Sequence, residues 1–279
     1  SKQRSALWWM PYFRPCPTFA TVPKVQNSNV IKSLRKRTDM SEPSTAIPDF
    51  PSWCQSNPNG AFSDWLKASC ADQWHAVTHH PFTDAWGNGA LPKANLENYL
   101  IQDHRFIDRF VALLAAAVSR APNLKDRIPG CQFLALITGE ENTYFERSFA
   151  ALGVSDDARE NTPDWPATAS FKQLMKDATD SNRYANMLAV LAVAEGTYLG
   201  WAERVNKAIA KRPDDFWYAE WIDLHIGDYF ESVVAYLNTQ LDKAGPALSE
   251  QERSECLSYF ARATDLEYQF FDTAWGAQK

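Results

Sequence analysis

The chain has 279 residues, 45% hydrophobic and 13% aromatic, so it is long enough to bury a substantial core. Its formal net charge of −6 and its pI near 5.4 exclude a general affinity for nucleic acid or for anionic membranes, because neither attracts an acidic surface.

The first predicted segment, residues 1–58, is a basic, proline-rich tail outside the fold. Before Met40 there are eight basic residues and one acid, a charge of +7 that leaves −13 for the rest of the chain. Eight prolines interrupt residues 1–58, and no apolar periodicity lasts for three turns. The shortage of acids is typical of an organelle transit peptide, although the aromatic and proline clusters are not. The alternative is an upstream extension, with the natural start at Met40.

From residue 59 to residue 279 the apolar pattern predicts one all-α bundle of about seven helices. No segment alternates with period two as a strand does. No apolar run has the length and charge-free character of a membrane span, and the five cysteines contain no CxxC pair, which is typical of a cytoplasmic protein without a zinc site. The predicted helices cover about 61–80, 96–120, 125–152, a shorter stretch around 171–175, 184–204, 214–243 and 249–275. Ser249 with Glu252 three residues later predicts a capping box at the start of the last helix.

The predicted helix over 184–204 is apolar almost all round and carries Glu195 in its middle. Such a helix belongs in a core, where a carboxylate without a partner is costly, and no cation lies at i±3 or i±4. Two interpretations remain open. Glu195 lies at a water-filled seam or pairs with a distant Arg, or it is held in an apolar pocket that adjusts its pKa for proton transfer.

Two further carboxylates lie on apolar faces of predicted helices. Asp103 shares a face with Phe106, and Glu267 shares a face with Phe271, while in the central helix Tyr198 follows the acid by one turn. Any one such acid is more often structural, but three would be costly unless they converge on a ligand. Carboxylates with aromatic walls suit a flat, amino-bearing or cationic ring, and no glycine-rich phosphate loop is present.

Four stretches carry a resemblance to a known family: IQDHRFIDRF at 101–110, VAEGTYLGW at 193–201, HIGDYF at 225–230 and DLEYQFFDTAW at 265–275. In order and spacing they resemble the TenA/THI-4 family, also called thiaminase II or aminopyrimidine aminohydrolase. The resemblance implies a haem-oxygenase-like helical bundle that works without a cofactor. It also implies a small-molecule aminopyrimidine substrate, replacement of an aminomethyl nitrogen by hydroxyl in thiamin salvage, and a homo-oligomer, dimer or tetramer.

The same resemblance assigns roles to individual residues. Asp103 matches the aspartate that holds the amino group and ring nitrogen of the pyrimidine, Tyr198 matches the tyrosine on the nucleophile side, and Glu267 matches the C-terminal catalytic glutamate. Where one branch of the family has a nucleophilic cysteine, this chain has Ala194. It offers Glu195 instead, as in the glutamate-type branch.

Three more positions are expected to bind substrate: Phe106 and His225, which replace tyrosines of the family pattern, and Phe271. Without a thiol at position 194, direct hydrolysis by a pair of glutamates is the expected chemistry, and intact thiamin is a less suitable substrate.

Two alternatives stay open. One is a non-catalytic pyrimidine-binding or regulatory bundle, and the other is a di-iron oxidase on the same scaffold. The oxidase would need Glu, His and Asp ligands at helical spacing, and no Glu-x-x-His pair is present. Its candidate ligands would be His225 with Asp228, together with Glu140, Glu141 and Glu146. We therefore expect no metal.

Overall fold

The computed structural model describes residues 47–276, and every regular element among them is a helix. The rest of the predicted tail, residues 1–46, lies outside the described residues. The α-helices are, in chain order, α1 Phe50–Ser56, α2 Phe62–Ser69, α3 Ala71–Thr78, α4 Pro81–Gly87, α5 Lys93–His104, α6 Phe106–Arg120, α7 Leu124–Leu136, α8 Asn142–Leu152, α9 Asp156–Asn161, α10 Pro166–Asp180, α11 Tyr184–Ala208, α12 Phe216–Leu224, α13 Gly227–Ala244 and α14 Glu250–Gly276. A π-helical turn, Ile137–Glu141, joins α7 to α8, and a 3₁₀ turn, Gly245–Ala247, follows α13.

The all-α prediction is confirmed, but the number of about seven helices is wrong. Predicted long helices are broken into shorter ones at Cys70, at Arg105, at the π-helical turn and at His225. The apolar spacing continues across each break, because the same face stays buried on both sides. Periodicity therefore could not reveal the breaks.

The predicted tail extended to residue 58, whereas the structure places α1 inside that range. The Asp49 carboxylate accepts a hydrogen bond from the Ser52 N–H (2.8 Å) and so caps the helix. The Phe50 ring packs edge-on against Phe62 (ring centroids 5.1 Å apart), and the Trp65 indole donates to the Pro48 carbonyl (3.0 Å). Apolar contact with α2, rather than helical periodicity, holds this short segment.

Helix α11 lies at the centre of the bundle and packs against α3, α6, α10, α13 and α14. Sixteen of its 25 residues are buried, as its apolar composition predicts. Helix α14 begins at the predicted capping box, where the Ser249 N–H donates to the Glu252 carboxylate (2.9 Å) and the Glu252 N–H donates to Ser249 Oγ (3.3 Å). Among residues 47–276 no helix is both long and apolar enough to cross a bilayer.

Gly196, next to Glu195, permits the close approach of α3 to α11. A Cβ atom there would lie 2.8 Å from Trp74 Cη2, and the indole has little room to move because it stacks on Phe260 (5.8 Å, 14° between planes). We expect Gly196→Ala to lower the free energy of unfolding by about 1–3 kcal/mol, measured by urea denaturation. Gly139→Ala is the control, since an added methyl there meets no atom within 4 Å. Equal stability of the two variants would contradict the close contact.

Candidate active site

A cavity of about 570 Å³ opens between the long helices. Its walls come from α5, α6, the π-helical turn, α10, α11, α12 and α14. Four acidic side chains line it, and they are Asp103, Glu141, Glu195 and Glu267. The other lining residues are apolar or aromatic apart from one histidine: Phe106, Ile107, Phe110, Ile137, Phe171, Met175, Ala194, Tyr198, Trp221 and His225. This lining of aromatic walls with a few polar groups is typical of a site for a small, flat ligand.

The three predicted acids, although far apart in the sequence, meet at this cavity. Asp103 is supplied by the last turn of α5, Glu195 by the middle of α11 and Glu267 by α14. The predicted Tyr198, Phe106 and His225 also line it. The convergence that the sequence argument required is therefore present in the structure.

Phe271 was expected to bind substrate, but it does not line the cavity. Its fully buried ring stacks on Phe82 (5.2 Å, 23° between planes) and lies 5.8 Å from the Tyr198 ring. One turn beyond Glu267, α14 has passed the cavity and faces α4. A role of Phe271 in substrate binding stays a prediction, because helical spacing gives a shared face but not the length of that face that a cavity occupies.

Glu141 is the acid whose place in this cavity the sequence analysis missed. It ends the π-helical turn, with Ile137 four residues before it and Phe145 four residues after it, both buried. An acid that shares a helical face with apolar residues is the signal that selected the other three. Its neighbour Glu140 is exposed and lines a separate surface groove.

A chain of hydroxyl groups leads from the core to Asp103. The Trp221 indole N–H donates to Tyr99 Oη (3.2 Å), which lies 2.8 Å from Tyr198 Oη. The Tyr198 hydroxyl donates to Asp103 Oδ1 (3.4 Å), so the Tyr99 proton points to the Tyr198 oxygen. The chain fixes the orientation of the Asp103 carboxyl at the cavity wall.

Enclosure by the bundle raises the pKa of all four acids. Burial raises the pKa of Asp103 to about 7, against the opposing effect of the Tyr99 and Tyr198 hydroxyls. For Glu141, burial and then repulsion from Asp103 raise the pKa to about 8. Burial raises the pKa of Glu195 well above its usual range, with repulsion from Glu141 as the next cause, and burial and then Asp103 do the same for Glu267. The carboxyls thus hold protons that exposed acids would have lost at neutral pH.

No positive charge among residues 47–276 balances these acids. None of the four takes part in an ion pair within 4 Å. Arg105, two residues from Asp103, turns away to Asp164 (2.7 Å) and to the carbonyl oxygen of Arg159 (2.7 Å). The cavity therefore favours a ligand that donates hydrogen bonds or carries a positive charge, and it disfavours phosphates.

His225 is held neutral at the cavity wall. Its Nδ1 lies 2.7 Å from the Trp221 carbonyl oxygen, so Nδ1 carries the proton and Nε2 is free to accept a hydrogen bond. Burial lowers the pKa of His225 to about 4, against the opposing effect of that carbonyl. His104, although it follows Asp103, packs on Phe145 and pairs with Asn142 Oδ1 (3.2 Å) outside the cavity.

Of the five residues considered for a di-iron centre, only Glu141 and His225 line the cavity. In the described part of the chain no group of three or more His, Cys, Asp or Glu side chains is placed to hold a metal ion. Asp228 is exposed whereas His225 is buried, and Glu140 and Glu146 point to the surface.

Removal of the Tyr198 hydroxyl should raise the pKa of Asp103. We expect Tyr198→Phe to raise the pKa of the Asp103 carboxyl, because a hydrogen-bond donor to its charged form is lost. The free energy of unfolding should also fall by about 1–3 kcal/mol, because the Tyr99 hydroxyl is left unpaired. NMR titration of ¹³C-labelled aspartate measures the shift. Tyr144→Phe is the control, since the Tyr144 hydroxyl donates to the Trp217 carbonyl (2.7 Å) and lies outside the cavity lining. An unchanged Asp103 titration in Tyr198→Phe would refute the hydroxyl chain.

Together the fold and the cavity define a class: all-α bundles with an acidic and aromatic cavity between their long helices. The chain belongs to the TENA/THI-4/PQQC family, which matches residues 68–277.

Similar proteins support this family and its fold. The aminopyrimidine aminohydrolases of Halalkalibacterium halodurans and Bacillus subtilis are 23% and 25% identical over 215 residues, which cover 77% of this chain and 96% and 89% of those proteins. A TenA homologue from Pyrococcus furiosus superposes with a TM-score of 0.69 at 20% identity, over 76% of this chain and 99% of its own. A Shewanella denitrificans domain of haem-oxygenase-like fold superposes with a TM-score of 0.59 at 17% identity, over 76% of this chain and 91% of its own. The bundle is therefore haem-oxygenase-like, as predicted.

Proposed function

We propose that this protein hydrolyses the C–N bond of the aminomethyl group of thiamin-derived aminopyrimidines and releases hydroxymethylpyrimidine for thiamin salvage. One observation carries the proposal: acids from three helices and one π-helical turn meet in a single aromatic cavity that no described cation neutralises. Relatives named aminopyrimidine aminohydrolase support the same reaction class.

In this proposal Asp103 orients the pyrimidine. A carboxylate accepts two hydrogen bonds side by side, which suits an amino group next to a ring nitrogen. The hydroxyl chain through Tyr198 holds that carboxylate in place. The aromatic walls, among them Phe106 and Trp221, are placed to cover the faces of a flat ring.

Glu195 and Glu267 share the proton transfers. One takes a proton from water as the water oxygen bonds to the exocyclic carbon. The carbon–nitrogen bond breaks in the same step, and its electron pair goes to the nitrogen, which the other glutamate keeps protonated so that it departs as ammonia. Burial raises the pKa of both carboxyls, so each binds a proton more strongly than an exposed acid does, as a group that takes a proton from water must.

The side chain at position 194 restricts the chemistry further. Ala194 lines the cavity beside Glu195, and it provides no nucleophile. A covalent adduct through sulfur at this position is therefore unavailable, and we place the chain in the glutamate-type branch. Intact thiamin should be cleaved much more slowly than the aminomethylpyrimidine.

The test is incubation of the full chain with aminomethylpyrimidine, its formylamino derivative and thiamin, with products identified by mass. We expect hydroxymethylpyrimidine and ammonia in equal amounts from the first substrate. Asp103→Asn is the variant to compare, because it keeps the shape but removes the charge that orients the ring. Ligand-induced thermal stabilisation without any turnover would replace hydrolysis with a non-catalytic binding role.

A further inference from the structure

We propose that Glu141 is a specificity-determining residue that recognises the aminomethyl nitrogen of the substrate in its ammonium form. The inference rests on the proposed function and goes beyond it, since the hydrolysis described above leaves this fourth acid without a role. In this inference the substrate nitrogen next to Glu141 binds as a positively charged ammonium group.

The π-helical turn selects which of two adjacent glutamates faces the ligand. Glu141 lines the cavity, whereas Glu140 is exposed and lines a groove on the outer side of the same turn. Both residues carry the same side chain on the same backbone element. They therefore form a natural pair of test and control positions.

Three of the acids that line the cavity, Glu141 among them, lack hydrogen-bond partners within the described chain. No described donor hydrogen-bonds to Glu141, Glu195 or Glu267, even though Glu267 is only 3% exposed. A buried carboxyl without a partner loses its hydration and gains nothing in return. An unpartnered side chain so deeply buried in a cavity wall points to donors supplied by a ligand.

Repulsion links Glu141 to the proposed catalytic pair. After burial, repulsion from Glu141 is the largest cause of the raised pKa of Glu195, ahead of repulsion from Glu267 and Asp103. A cation bound between two carboxyls turns this repulsion into attraction for both. His225 also faces the cavity and is neutral, so it does not compete as a counter-charge.

The chemistry of the substrate matches this arrangement of acids. The ring edge supplies the donors that Asp103 accepts, and an ammonium group supplies three more N–H donors and a full charge. One of Glu195 and Glu267 is occupied with the attacking water in the proposed reaction, so Glu141 is placed to supply acceptor oxygens and a charge for the ammonium group. A formylamino nitrogen has a single N–H and no charge, so Glu141 should favour the free amine over the amide.

The experiment compares Glu141→Gln with Glu140→Gln in the full chain at neutral pH. Calorimetry measures the affinity for aminomethylpyrimidine, which is cationic, and for hydroxymethylpyrimidine, which is neutral. We expect Glu141→Gln to weaken the affinity for the cationic ligand roughly 10- to 100-fold, the range of a charge-assisted hydrogen bond. The affinity for the neutral ligand should change by less than about 3-fold. Glu140→Gln should change neither. Glu141→Asp, which keeps the charge, should retain part of the preference and also controls for misfolding.

The outcomes separate this inference from the proposed function. Equal weakening of both ligands in Glu141→Gln would assign Glu141 a structural role, and no weakening of either would remove it from recognition, so both overturn the inference. Wild-type protein that binds the cation but forms no product would contradict hydrolysis while the affinity ratio still tests Glu141. In active protein, we expect the ratio of kcat/KM for the aminomethyl substrate over the formylamino substrate to fall by the same factor.

Discussion

Replacement of Glu195 or Glu267 by glutamine is expected to lower the rate of aminomethylpyrimidine hydrolysis by roughly 10²–10⁴-fold, the usual contribution of a positioned acid or base. Each amide keeps the shape of the side chain but transfers no proton. Because the two groups act on the same step, the double variant should lose much less than the product of the two single effects. Steady-state kinetics of the three variants measures both quantities.

Stability distinguishes this loss of activity from loss of folding. A neutral amide removes repulsion from the other acids, so both variants should unfold at the same temperature as the wild type or higher at pH 8. Glu203→Gln is the control on the same helix, since Glu203 pairs with Lys207 (3.0 Å) at the surface. Near-normal rates in both glutamine variants would exclude the proposed proton transfers.

The ligand-free protein is expected to lose stability as the pH rises from 6.5 to 8.5. The carboxyls of Asp103 and Glu141 ionise near pH 4 in the unfolded chain but near 7 and 8 in the folded protein. Their stabilising contribution is fully present below the unfolded pKa and is lost as the pH rises through the folded pKa. Each carboxyl that is protonated only in the folded state contributes a slope of about 1.4 kcal/mol per pH unit.

The chosen pH window isolates the acids from other buried groups. The pKa of His225 is lowered in the folded protein, so its contribution to stability is complete once the pH exceeds the ordinary imidazole value of 6.5. Above that pH it adds no slope to the free energy of unfolding. The buried thiols of Cys70 and Cys256, whose pKa values are raised to about 11 and 12, begin to lower the stability only as the pH approaches the ordinary thiol pKa of 9.0, at the upper end of the window. Urea denaturation at several pH values measures the slope, and Glu141→Gln should make it shallower. A stability that rises across the window would contradict the shared enclosure of the acids.

Much of the fold followed from the sequence because helical periodicity reports burial directly. The apolar face of α11 and the capping box of α14 were both predicted, as was the position of Asp103, Glu195 and Glu267 on apolar faces. Hydrophobic burial and local hydrogen bonds depend on residues three or four apart, which the sequence displays. The same local signal was present for Glu141 and was overlooked.

Only the tertiary structure decided which buried faces share a cavity. Helical spacing placed Phe271 beside Glu267, but the crossing of α14 over α4 directs that ring into the core. Trp221 entered the cavity from α12 without any spacing relation to the acids. The distance between residues on different helices depends on crossing angles and on breaks such as the one at Arg105, which are set by side-chain packing across the whole bundle. The sequence by itself therefore placed Asp103, Glu195 and Glu267 on apolar helix faces, and packing decided that they line one cavity together with Glu141.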